Sequence, residues 1–171
     1  MSSLSLGADR RGFRFLAACA LAIALLSPEV AMARAGGPFA ALAGEWRGAG
    51  SVTGSDGRSE RLSCRADNTV SGDDANLSQS LVCASDSYRF DIRTDITTDG
   101  RTVHGTWQET TRNASGDLDG DIRGNSIQGT VEGQNFTAAV SLTTAGDRLQ
   151  VSIIPQGTDL ARVEVSLRRG G

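Results

Sequence analysis

Residues 88–107 read YRFDIRTDITTDGRTVHGTW. In the first half Tyr88, Phe90 and Ile92 share one parity and Arg89, Asp91 and Arg93 the other. In the second half Val103, Gly105 and Trp107 alternate with His104 and Thr106. A period of two sends the apolar set to one face of a strand and the polar set to the opposite face. Asp99-Gly100 between the halves is a turn signal. The stretch therefore predicts an antiparallel hairpin with one face buried.

The same pattern continues in both directions. Trp46, Gly48, Gly50 and Val52 share a parity, as do Leu62 and Cys64, Leu81 and Cys83, Phe136, Ala138, Val140 and Leu142, Leu149, Val151 and Ile153, and Val163, Val165 and Leu167. Gly54-Ser55-Asp56-Gly57, Asp119-Gly120, Gly124-Asn125 and Ala145-Gly146-Asp147 separate these runs as turns. Helical periodicity is nearly absent, and short, evenly spaced strands leave no room for a βαβ unit. The expectation is an all-β protein, an antiparallel up-and-down meander of about eight to ten strands. It closes into a barrel or a partly open one, with a sandwich as the alternative. Thr69-Val70-Ser71-Gly72, Thr102-Val103-His104-Gly105 and Thr130-Val131-Glu132-Gly133 share Thr-Val-x-Gly at unequal intervals. They read as recurrent hairpin edges rather than a repeat period. Phe39 to Leu42 is expected to form one helical turn that plugs an end.

The N-terminus sets the compartment. Arg10, Arg11 and Arg14 precede the apolar run Phe15 to Leu26, and Ala33-Arg34-Ala35 fits a small-residue cleavage site. Residues 1–35 are thus expected to be a signal peptide. Residues 36–43 then form a short lead-in and 44–171 a single β-barrel domain, in a periplasmic or secreted protein. Ser27-Pro28-Glu29 interrupts the apolar run before it reaches membrane-spanning length, so no integral membrane anchor is expected. Arg10-Arg11-Gly12-Phe13 resembles the core of a twin-arginine signal and leaves the export route open between that and a plain basic n-region. With residues 1–35 removed from 171, a chain of 136 remains, enough for one core. It carries 13 arginines, 18 acidic residues and no lysine, a formal charge of −5. That balance disfavours a general polyanion surface, and no nucleic-acid partner is expected.

Cys19 leaves with the leader, so Cys64 and Cys83 remain as an even pair in an oxidising compartment and are expected to form a structural disulfide. Both fall on the apolar parity of their strands. His104 is the sole histidine, too little to complete a zinc site with two cysteines.

Leu42-Ala43-Gly44-Glu45-Trp46, opening the first strand, resembles the Gly-x-Trp start of lipocalin-like and other calycin-type barrels. The resemblance implies that Trp46 sits at the closed end, with Gly44 beside it and a late arginine packed over the indole. Arg169, on the inward parity of Val163, Val165 and Leu167, is the matching position. Such a pair would be structural, a cation–π contact stabilising by about 0.5–2 kcal/mol. The chain as a whole resembles uncharacterised exported bacterial proteins.

Residues that could carry chemistry are few. A serine or cysteine nucleophile needs a nearby base, and His104 alternates outward on its strand. Gly48-Ala49-Gly50 lacks the third glycine and the helix of a phosphate cradle. Asp117, Asp119 and Asp121 stand at alternate positions, a weak candidate set of carboxylates for a hard cation such as calcium. Ile122 and Gln128 stand where a calcium loop would require glycine and glutamate, and strand alternation accounts for the trio by turning it to solvent. No cofactor is expected. Asn76, Asn113 and Asn135 each head an Asn-x-Ser/Thr acceptor pattern.

Two functional classes follow, with an enzyme, a hydrolase for instance, as a third and less favoured one. The first is an exported, non-enzymatic binding protein of the cell envelope that holds a small apolar ligand in an open barrel. Gly48, Gly50, Gly105 and Ala138, together with Tyr88, Phe90 and Trp107, are its candidate cavity lining. The second is a barrel filled by its aromatic side chains, including Phe136, that binds an envelope protein through its loops as barrel-type protease inhibitors do.

Overall fold

The computed structural model describes residues 36–170; the expected signal peptide, its cleavage site and Cys19 lie outside the described residues. The all-β expectation holds. Ten antiparallel strands form a closed barrel in which every strand pairs with its sequence neighbours and β1 closes on β10. They are β1 Gly44–Gly54, β2 Ser59–Ser71, β3 Asn76–Ala84, β4 Arg89–Thr98, β5 Thr102–Glu109, β6 Ala114–Arg123, β7 Ser126–Gly133, β8 Thr137–Ala145, β9 Arg148–Gln156 and β10 Leu160–Arg169. Closure removes the unpaired edges that an open sheet of this length would expose.

The opening hairpin is β4 and β5, with Ile96 opposite Gly105 and Thr94 opposite Trp107. The turn at Asp99-Gly100 is held by the Asp99 carboxylate, which accepts the backbone N–H groups of Arg101 and Thr102 at 2.8 Å each. Those bonds favour the charged form and hold the Asp99 pKa below the ordinary value. Thr-Val-x-Gly is not a common structural unit. Gly72 and Gly133 stand at strand ends, Gly105 in the interior of β5.

One end of the barrel is plugged from inside. Ala40–Leu42 form a single 3-10 turn, and Phe39, Leu42 and Trp46 are buried with Val103 and Leu149 around them. Polar groups in the plug are satisfied: the Leu42 carbonyl accepts both the Trp46 indole N–H and the Asn68 side-chain amide, each at 2.8 Å. Gly44 joins plug to strand at φ +97°, a backbone region that side chains resist.

Cys64 and Cys83 face each other directly across β2 and β3, Cα atoms 4.1 Å apart, and are joined by a disulfide inside the barrel. That separation matches the close, non-hydrogen-bonded type of antiparallel pair.

Gly48, Gly50 and Gly105 do not line a cavity, contrary to the sequence-based expectation. A Cβ on Gly48 would lie 2.1 Å from the Ser166 carbonyl oxygen, on Gly50 2.4 Å from that of Glu164, and on Gly105 2.1 Å from that of Asp95. These glycines let the strands coil tightly enough to close, with the neighbouring backbone occupying the space a side chain would need.

Candidate functional site

At the end opposite the plug the interior is not filled. A cavity of about 710 Å³ opens between the connections that carry Tyr88, Arg112, Asn135 and Thr158. Its walls come from β3 to β10, and among the described residues β1 and β2 supply none of the lining. Alternation aims the lining inward: Leu81 and Cys83 from β3, Phe90 and Ile92 from β4, Trp107 from β5, Leu118 from β6, Val131 from β7, Ala138 and Val140 from β8, Ile153 from β9, Val163 and Val165 from β10. Of the sequence-based lining candidates, Tyr88, Phe90, Trp107 and Ala138 stand here. The aromatic rings form walls and do not fill the space.

Those walls are organised by aromatic contacts. Tyr88 and Phe90 stack with centroids 6.1 Å apart and planes within 10°. Trp107 meets Phe136 edge to face at 5.5 Å, a favoured geometry for ring quadrupoles. Phe136 precedes β8, in the loop at the mouth, yet its ring faces the same cavity. The Trp107 indole N–H reaches over Gly116 to the Glu132 carbonyl at 3.2 Å. A side chain at position 116 would meet that same carbonyl, so glycine keeps the path open.

The mouth carries the polar part of the lining. Glu109 is buried at the end of β5, where its carboxylate accepts the N–H groups of Asp91 (3.0 Å), Thr111 (3.2 Å) and Arg112 (2.8 Å) and the Thr111 hydroxyl at 2.6 Å. Burial alone would raise its pKa, but the hydrogen bonds outweigh it and hold the carboxyl below the ordinary glutamate value. Arg112 lies over the Phe90 ring at 4.9 Å and donates to the Arg89 carbonyl at 2.9 Å. Sequence reasoning missed Glu109 and Arg112, because Glu109 reads as one more polar residue at a strand end and Arg112 as a loop residue.

Because the folded pKa of Glu109 is depressed, its contribution is complete above the unfolded value of about 4.3 and fades as pH falls through the lower folded value. Glu109→Gln is expected to cost about 1–3 kcal/mol at pH 7, since an amide cannot accept all four bonds. Denaturation at pH 7 and pH 3 checks this. The gap between wild type and variant should be largest at pH 7 and narrower at pH 3, and a gap independent of pH would contradict the assignment.

The closed end places the remaining candidates. Trp46 is opposite Arg169 in the β1–β10 register, and the guanidinium lies 4.3 Å from the indole centroid. Arg169 also donates to the Ala41 carbonyl at 2.7 Å and to the Ala43 carbonyl, tying the last strand to the plug. Gly44 lies against it, a Cβ there falling 3.6 Å from Arg169 Nη1. Asp117, Asp119 and Asp121 stand on the exposed outer face of β6. Asp119 contacts His104 on β5 at 2.5 Å, with both side chains about two-thirds exposed.

The barrel has solved counterparts. The crystal structure of Rv2717c from M. tuberculosis superposes with a TM-score of 0.63 at 13% identity, covering 77% of this chain and 94% of that one. A DUF3598-family protein of unknown function from Nostoc punctiforme superposes with a TM-score of 0.58 at 17% identity, over 78% of this chain and 49% of that one. At such identities the likeness is one of fold. No protein-family model matches the chain, and no curated protein matches it either.

Proposed function

We propose that this chain is an exported, non-enzymatic binding protein of the cell envelope that holds a small apolar ligand in its barrel. The observation that carries the reading is the cavity of about 710 Å³, walled by aliphatic and aromatic side chains. Its volume falls within the range of about 300–1,000 Å³ typical of small-molecule sites. The polar groups at the mouth are suited to holding shape. The Glu109 carboxylate is engaged by its own loop, Cys83 is tied in a disulfide, and His104 lies on the outer face. Export is supported by the leader pattern and by the disulfide, which persists in oxidising compartments.

Ala138 gives the sharpest test, since it is buried in the wall and a larger side chain there would project into the open space. The neutral fluorophore N-phenyl-1-naphthylamine should bind the wild type, and Ala138→Phe should weaken binding at least about tenfold with little change in Tm, tenfold being about 1.4 kcal/mol. Native mass spectrometry of the exported protein should also show a small molecule released on denaturation. An empty protein that ignores the fluorophore would overturn the proposal.

A further inference from the structure

Strand register brings four arginines from distant parts of the chain into one line. Arg148 on β9 stands opposite Arg168 on β10, Arg168 opposite Arg47 on β1, and Arg47 opposite Arg65 on β2. All four are exposed on the outer face. Like charges directly across a ladder are destabilising, so folding alone does not favour the row. Glu45 lies 3.1 Å from Arg47 and Asp147 lies 3.2 Å from Arg168. Among the described residues, Arg65 and Arg148 have no carboxylate within ion-pair distance.

We infer that this row binds a flexible acidic glycan bearing one carboxylate per sugar ring. Strands about 4.8 Å apart at the backbone each present one guanidinium, splayed further apart toward the tips by the curvature of the barrel, and guanidinium pairs with carboxylate through two parallel hydrogen bonds. The adjoining row on the open-end side is neutral, with Ser63, Ala49, Ser166 and Gln150 in mutual register; its hydroxyl and amide groups suit sugar hydroxyls. The four strands take up four-tenths of the barrel's circumference, so the guanidiniums fan out over a convex face. A flexible chain can follow that curve; a flat bilayer cannot meet all four. The net charge of −5 on the 136 residues after the leader sets a repulsive background for any polyanion and confines attraction to the row.

Polygalacturonate is the probe. The wild type should bind it roughly 50-fold more weakly at about 200 mM salt than at about 50 mM, as four released counterions require, and should not bind dextran. Arg65→Gln/Arg148→Gln should weaken binding at least about tenfold at low salt without lowering Tm. Arg93→Gln/Arg123→Gln, an equal charge change on β4 and β6, should leave binding intact. No binding by the wild type, equal loss in both double variants, or equal affinity for phosphatidylglycerol vesicles or single-stranded DNA would each overturn the inference.

Discussion

Trp46→Ala is expected to lower the unfolding free energy by about 3–5 kcal/mol, the usual cost of removing a large aromatic side chain from a packed core. Trp46 has no exposed surface and sits where three parts of the chain meet: the plug through the Leu42 carbonyl, β10 through Arg169, and the closed-end core. The Leu42 carbonyl keeps its second donor, Asn68, so the loss comes from packing and the cation–π contact rather than from an orphaned acceptor. Arg169→Lys should cost less, about 1–2 kcal/mol, because an ammonium keeps the charge over the ring but cannot span two carbonyls. Urea denaturation measures both. A loss below about 1 kcal/mol for Trp46→Ala would show that the closed end does not depend on this residue.

Removing the disulfide should have the next largest effect. Cys64→Ala/Cys83→Ala frees a loop closed across 19 positions, and the entropy restored to the unfolded chain corresponds to about 3 kcal/mol. For a domain of this size that is a fall in Tm of roughly 10 °C. Alanine avoids burying a hydroxyl in the wall. Iodoacetamide should leave both cysteines unlabelled in the unfolded, unreduced protein and label both after reduction. Labelling before reduction, or a Tm unchanged by the double substitution, would contradict the assignment.

The barrel was legible in the sequence because its physics is local. A period of two, broken by Asp-Gly and Gly-Asn turns, needs only a few consecutive residues, and Trp46 with Arg169 fits the end-packing that the calycin resemblance implies. The inward glycines were harder. Gly48, Gly50 and Gly105 share the parity of lining residues, and parity cannot distinguish a glycine facing empty space from one pressed on the next strand's carbonyl. Glu109 and Arg112 were invisible for the opposite reason. Thr111 and Arg112 bond Glu109 locally, but the environment of the pair is completed by Asp91, Arg89 and Phe90, about twenty positions away, and follows from the pairing of β4 with β5. The arginine row is more remote still, since positions 47, 65, 148 and 168 carry no mutual signal until the register is known.

The seam between β1 and β10 also dictates the order of assembly. Strand β1 waits for β10 before its second ladder can zip, so a chain emerging N-terminus first keeps two sticky borders until β10 has been made. Loss of β10 would therefore expose β1 and β9 together, and aggregation through those borders is the failure to look for in protein truncated before it.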